Sequence, residues 1–180
     1  MIRPADPDRD AAACAAIYAP YVLHSPTSFE EVAPDAREMS ERIRRVQATH
    51  PWLVAEDDDR VAGYAYASRH RERAAYRWAC DVAVYLDAAH HRRGIGRRLY
   101  EALLERLRAQ GFHVAVAGVA LPNDASVGLH EALGFELVGV HRAIGFKFGE
   151  WWDVGWWQLH LLPASDDGTP PPEPLPPSGA

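Results

Sequence analysis

The chain has 180 residues, 48% of them hydrophobic and 10% aromatic, enough to bury the core of one domain. A formal charge of −6 and a pI near 5.8, with arginines interspersed among acids, speak against a nucleic-acid-binding surface. No charged-then-apolar leader is evident and no apolar run approaches the roughly 18 residues of a membrane span, so the expectation is a cytoplasmic protein with neither membrane nor nucleic-acid partner. Cys14 and Cys80 have neither CxxC nor metal-ligand spacing and read as small buried apolar groups, and no metal is expected.

In chain order, residues 1–3 form a short strand, and Asp6 to Asp10 offer N-cap acids to a helix over residues 11–19 that Pro20 bends or ends. Residues 24–33, rich in Ser, Thr and Pro, predict a loop with Tyr18, Tyr21 and Phe29 clustered around it. The cluster is either aromatic packing or part of a lid over a small-molecule acceptor. Residues 34–50 predict a second amphipathic helix with Met39, Ile43 and Val46 on one face. Residues 52–56 and 61–67 form a hairpin about Asp57-Asp58-Asp59. The run Arg69-His70-Arg71-Glu72-Arg73 is either a solvated loop or a site for a carboxylate or phosphorus oxyanion, which guanidinium groups bind bidentately.

Residues 76–86 predict the central strand. Asp81 lies inside it, where propensity and desolvation both disfavour a carboxylate, and by alternation it shares a face with Ala83 and Tyr85. It is either salt-bridged to a nearby arginine or a general base. Val84, Tyr85 and Leu86 lead into His91-Arg92-Arg93-Gly94-Ile95-Gly96 and a helix whose apolar face carries Ile95, Leu99, Tyr100, Leu103, Leu104 and Leu107, ended by Gly111. A helix start leaves backbone N–H groups unpaired at the positive end of its dipole, Gly94 and Gly96 lack Cβ atoms that would keep a phosphate from the backbone, and Arg92 and Arg93 add charge, so this turn is an anion site of pyrophosphate size. A nucleoside-triphosphate loop would need GxxxxGK[ST], and a dinucleotide loop would need glycine where Leu99 stands. Residues 113–119 predict a strand and residues 123–133 a short helix with Asn123 as N-cap and His130 on it. Residues 136–147 and 152–161 predict two strands about a turn at 148–151. From residue 163 on, half of the fourteen prolines recur with Ser, Gly and Asp, which predicts a disordered tail over residues 163–180 behind a domain of residues 1–162. The element order predicts a mixed α/β fold, a central sheet with helices on both faces.

His91 to Gly96 resembles the [RQ]xxGx[GA] acetyl-CoA signature of the GCN5-related N-acetyltransferase (GNAT) superfamily, with histidine at the Arg/Gln position. Together with Leu121-Pro122-Asn123-Asp124, His130-Glu131-Ala132-Leu133-Gly134-Phe135, Gly145-Phe146-Lys147-Phe148-Gly149 and Trp152-Asp153-Val154-Gly155-Trp156-Trp157, it makes residues 1–162 similar to phosphinothricin N-acetyltransferases. The resemblance implies the GNAT acyl-CoA acyltransferase fold and transfer of acetyl from acetyl-CoA to the amine of phosphinothricin or a similar amino acid such as methionine sulfoximine. It implies cofactor contacts at Val84, Tyr85, Leu86, His91, Arg92, Arg93, Gly94, Ile95, Gly96 and Asn123, and acceptor contacts at Phe29, Arg71, Arg73, Tyr76 and Tyr100. It puts Asp81, where the family has glutamate, as general base, acting directly or through a water, and His130 as acid or base. It also implies a homodimer. The alternatives are acetylation of a protein N-terminus, acetylation of a polyamine, which two arginines at the acceptor argue against, and an acyl-CoA-binding module without turnover.

Overall fold

The computed structural model describes residues 1–164 and 167–177. Trp52, Leu53, Val54 and Ala55 are all buried, a pattern that requires the strand carrying them to be covered on both faces. That strand is β2 (Trp52–Asp57), and it pairs with β1 (Ile2–Pro4) and β3 (Arg60–Arg69). With β4 (Ala79–Leu86), β5 (Val114–Leu121), β6 (Glu136–Lys147) and β7 (Glu150–His160), these form one sheet in the order β1-β2-β3-β4-β5-β7-β6. Trp52, Val54 and Tyr64 face a core made with α1 (Ala11–Leu23) and α2 (Ala36–Gln47). Leu53, Ala55, Ala65 and Ala67 face a second core made with α3 (Ile95–Gln110), joined by Phe135 and Trp157. The expected helices on both faces are present, and α4 (Asp124–Ala132) follows β5. Among the described residues no helix is long and apolar enough to cross a membrane.

Among the described residues every strand pairing is antiparallel except one. β4 and β5 run parallel and pair only at Ala79–Val114, Cys80–Ala115 and Asp81–Val116. Both continue for several residues past these pairs, β4 held by β3 and β5 by β7. A wedge therefore opens between two central strands, with Asp81 at its apex.

The structure departs from the sequence expectations in a few places. The first helix does not stop near residue 19; it continues past Pro20 to Leu23. Burial of Val22 and a 2.7 Å hydrogen bond from the Tyr21 hydroxyl to the Leu86 carbonyl hold its last turn, so tertiary packing outweighs the hydrogen bond that proline removes. Asp10 precedes this helix without capping it, because its carboxylate is occupied by Arg3 (2.6 and 2.8 Å) and by the Asp6 N–H. The central strand begins at Ala79, because residues Ala74–Tyr76 close a 3-10 turn through the Tyr76 N–H to the Arg73 carbonyl and the Arg77 N–H to the Ala74 carbonyl. β7 starts at Glu150, two residues early, because Phe148 and Gly149 both take positive φ (55° and 79°) and make a tight two-residue hairpin turn.

The proline-rich segment, expected as a free appendage, makes specific contacts where it is described. The Trp78 indole N–H donates to the Pro172 carbonyl (2.8 Å), Arg77 pairs with Glu173, and the Leu175 N–H donates to the Gln110 carbonyl (2.7 Å). The Gln110 side-chain amide returns a bond to the Leu175 carbonyl (2.6 Å). Residues 165, 166 and 178–180 lie outside the described residues.

Candidate active site

The expected anion turn is built at the mouth of the wedge. Gly94 adopts the left-handed conformation (φ 73°) and opens α3 with no side-chain cap, so the first-turn N–H groups of a 16-residue helix remain available to an anion. Arg92, also left-handed (φ 60°), is exposed beside them. Arg93 turns the other way and pairs with Asp57 on the β2–β3 hairpin at 2.7 Å. The role of Gly96 differs from the sequence expectation. A Cβ there would meet the Leu86 side chain at 3.3 Å and Leu129 at 3.6 Å, so this glycine lets α3 seat against β4 rather than clearing room for a phosphate. Ile95 is a core residue, leaving only its main chain to the turn.

Along β4 the side chains are committed to the cores. Val84 packs on the α3 side, and the Tyr85 ring meets Tyr18 at 4.8 Å, Tyr21 at 5.1 Å and Tyr64 at 5.5 Å. What β4 offers the wedge is backbone. The main chain of Leu86 is met by the Tyr21 hydroxyl, which donates to its carbonyl (2.7 Å), lies 3.4 Å from its N–H, and stands 3.2 Å from His91 Nε2. Tyr21 thus ties α1 to the strand and to the turn, a role that a residue read as loop packing does not reveal in sequence. Asn123 caps α4 as expected, its side chain accepting from the Ser126 N–H at 3.1 Å.

His130 and Tyr100 form a buried pair. His130 Nδ1 lies 2.7 Å from the Ser126 carbonyl, which can only accept, so Nδ1 carries the proton. Nε2 is then the acceptor for the Tyr100 hydroxyl at 3.0 Å. Burial lowers the His130 pKa against the effect of the Ser126 bond, and burial raises that of Tyr100, so both are neutral. Tyr100 is 1% exposed and belongs to the α3 core, its ring tilted by 39° against Phe135 at 6.4 Å.

Asp81 projects to the other face of β4, since Cys80 and Val82 enter the α3 core. Its partner is not an arginine. His70 Nδ1 lies 2.7 Å from Asp81 Oδ1, and the His70 ring meets Tyr76 edge-on at 5.8 Å. Burial raises the Asp81 pKa above the ordinary carboxylate range, while the His70 hydrogen bond and the nearby Arg71 charge oppose that rise. Sequence reading passed over His70 because it is embedded in a run of charges, eleven positions from its partner. The signal was the β3–β4 hairpin, whose ladder pairs Ser68 with Asp81.

Arg71 and Arg73 line a cavity of about 550 Å³ together with His50, Arg69, Arg77 and the tail residues 173–176. Arg69 is taken up by Glu72 and Arg77 by Glu173. Arg71 donates to the His70 carbonyl, and Tyr76 is 44% exposed beside this loop. Phe29 is not among the residues lining that cavity; its ring lies against the backbone of Gly145 on β6, where any side chain would collide with it. The loop carrying Phe29 is fixed rather than free. The Lys147 ammonium donates to the carbonyls of Val22 (2.6 Å), Ser25 (3.1 Å) and Ser28 (2.5 Å), Tyr18 bonds Ser28 and Glu30, and Arg42 clamps Glu30 with two bonds of 2.8 Å. The structure thus gathers Asp81, His70, Arg71 and Tyr76 in one cluster and Tyr100 with His130 in a separate buried pair.

Comparison with known proteins agrees with this geometry. A family model described as an acetyltransferase (GNAT) domain matches residues 5–156. A phosphinothricin N-acetyltransferase of Streptomyces viridochromogenes is 44% identical over 177 residues, covering 98% of this chain and 93% of the relative. An L-methionine sulfoximine/L-methionine sulfone acetyltransferase of Salmonella typhimurium is 35% identical over 84% of this chain and 90% of its own length. A crystal structure of a phosphinothricin acetyltransferase from Sinorhizobium meliloti, in complex with acetyl-CoA, superimposes with a TM-score of 0.85 at 36% identity, covering 89% of this chain and 87% of that one.

Proposed function

The chain belongs to the GNAT acetyltransferase family, and on that premise we propose that it transfers acetyl from acetyl-CoA to the amine of a small amino acid carrying a second anionic or strongly polar group, of the phosphinothricin or methionine sulfoximine type. The observation that carries this reading is the wedge. Two parallel strands part at Asp81, and the α3 N-terminus, open to an anion, follows the β4 edge.

The residues present fit acetyl-CoA. The edge of β4 beyond Asp81, where pairing with β5 has stopped, suits an amide-bearing arm, the turn from His91 to Gly96 with exposed Arg92 suits a pyrophosphate, and Asn123 borders the β5 side. When bound, the group supplies an acetyl activated as a thioester. The protein's share is to receive the amine in the right place and remove its proton, because only a neutral amine is nucleophilic. Arg71 and Arg73 are the receivers of the acceptor's anionic groups, since Arg69 and Arg77 are already ion-paired. Phe29 and Tyr76 are its apolar walls, whereas Tyr100 is buried in the α3 core and bonded to His130. Asp81 belongs to proton removal, and His130, neutral and hydrogen-bonded to Tyr100, to proton transfer on the side of the departing thiol.

The apolar residues exposed on β6 and β7, Leu137, Val138, Ile144, Phe146 and Trp151, support a homodimer formed through this hairpin. Light scattering at micromolar concentration is expected to give twice the 20.0 kDa chain mass.

The test of the reaction is thiol release from acetyl-CoA with phosphinothricin, methionine sulfoximine, spermidine and a peptide amine as acceptors. Turnover on the first two supports the proposal. Turnover confined to spermidine or peptide overturns the acceptor class, and acetyl-CoA binding without turnover on any acceptor points to a binding module.

A further inference from the structure

The carboxylate at the wedge apex does not stand alone. His70 and Asp81 meet at 2.7 Å through Nδ1 and Oδ1, with side chains 16% and 33% exposed, so the pair is sheltered but open to solvent. Asp81 has one carboxylate oxygen engaged in this way. Among the described residues Nε2 of His70 has no hydrogen-bond partner.

We propose that the proton of the acceptor's ammonium group is taken by His70 through Nε2, with Asp81 as the partner that orients the ring and balances its charge. The inference rests on the reading of this site as an amine acetyltransferase, and it refines the part that Asp81 plays there.

Three observations lead to it. First, an ionised Asp81 accepting from Nδ1–H selects the imidazole tautomer whose Nε2 lone pair is free, the arrangement in which a carboxylate holds a histidine base ready. Second, an imidazole lies closer to an ammonium in proton affinity than a carboxylate does, so near neutral pH it is the better match for this proton. Third, aspartate is a short side chain at the apex, and the His70 ring extends its reach by the width of an imidazole. The step moves one proton. The ammonium N–H bond breaks, its electron pair stays on nitrogen as the nucleophile, and the proton joins Nε2. The result is an imidazolium paired with the Asp81 carboxylate, which gives the proton to water between turnovers.

The titratable and charged groups around His70 are Asp81 on β4, Arg71 on its own loop, Tyr76 of the 3-10 turn and, beyond Asp81, Tyr66 on β3. Asp81 alone among them bonds the ring.

The test is His70→Asn, which keeps a donor near the Nδ1 position but has no basic nitrogen. kcat/KM for phosphinothricin or methionine sulfoximine is measured from pH 6 to 10, with acetyl-CoA affinity by calorimetry. The expected result is a loss of about 100-fold near pH 7 with cofactor affinity unchanged, and a deficit that shrinks as pH rises, because the substrate then arrives already neutral. The double variant with Asp81→Asn is expected to be no worse than the poorer single variant, as for groups acting as a unit. A His70→Asn rate within about twofold of the parent, or a deficit equal at every pH, would overturn the inference while leaving the acetyltransferase reading intact. Failure of the unsubstituted protein to acetylate any amino acid would overturn both.

Discussion

Two loops flank the wedge, and they are held in opposite ways. Residues 24–33, which carry Phe29 and place Ser25 and Thr27 in a cavity with Leu86 and His91, are anchored by a buried ammonium, a tyrosine and a bidentate arginine–glutamate pair. Residues 70–77 carry His70, Arg71, Arg73 and Tyr76, and their side chains are mostly exposed and tied by few bonds. The wall is rigid where it only shapes the pocket, and the chemistry sits where the chain stays hydrated. A guanidinium needs solvent access to meet an incoming anion, whereas an aromatic wall is useful only if it does not move.

The variant with the largest expected effect breaks the chemical side of that comparison. Asp81→Asn should lower kcat/KM about 100-fold or more while leaving the melting temperature at pH 7 unchanged or higher. The sign follows from the shift. An acid whose folded pKa is raised prefers to fold protonated, so above its unfolded pKa the ionised group costs stability, and the amide removes that cost. A variant both inactive and clearly less stable would show that the carboxylate holds the fold instead.

Lys147→Met tests the rigid side. Three carbonyls would lose their donor, at a cost of about 2 kcal/mol or more. Thermal unfolding should report that loss, and the acceptor KM should rise as Phe29 loses its footing while acetyl-CoA affinity holds. An unchanged KM would mean that this loop does not shape the acceptor pocket.

His50 lies beneath the arginine loop, stacked on Phe112 at 5.0 Å, and burial and Arg69 bring its pKa down to about 4. The fold prefers the neutral ring. Its contribution is complete above the unfolded value of about 6.5 and is lost as pH falls from there toward 4, by on the order of 3 kcal/mol for a ring buried as His50 is. His50→Gln should flatten that limb of a stability-against-pH curve. The smallest effect belongs to the tail. Glu173→Gln removes an exposed ion pair with Arg77 and should change stability by less than about 0.5 kcal/mol, whereas removal of residues 169–180 should loosen the arginine cavity and raise the acceptor KM a few-fold in the thiol-release assay.

Much of the site was legible in local pattern. The anion turn, the apolar stripe of α3, the Asn123 cap and the misplaced carboxylate at residue 81 all follow from spacing, because a helix start, a heptad-like stripe and strand alternation are properties of consecutive residues. Pro20 misled because its cost is local while what offsets it, Val22 and Tyr21, acts through packing. The role of Gly96 was read from the ligand side, while its missing Cβ faces Leu86 on another element.

The sequence by itself determined the order of elements, the two-sided cover of the sheet and the resemblance that names the chemistry, since these rest on periodicity and on contiguous motifs. Tertiary structure alone decided which groups meet. The parting of β4 from β5 at Asp81 and the pairing of Asp81 with His70 rather than with an arginine join residues by way of the sheet, and the seating of residues 172–175 against Trp78 and Gln110 joins residues 94 and 65 positions apart. Charge and propensity mark which residues need a partner; only the register of the strands brings a particular partner within hydrogen-bond reach.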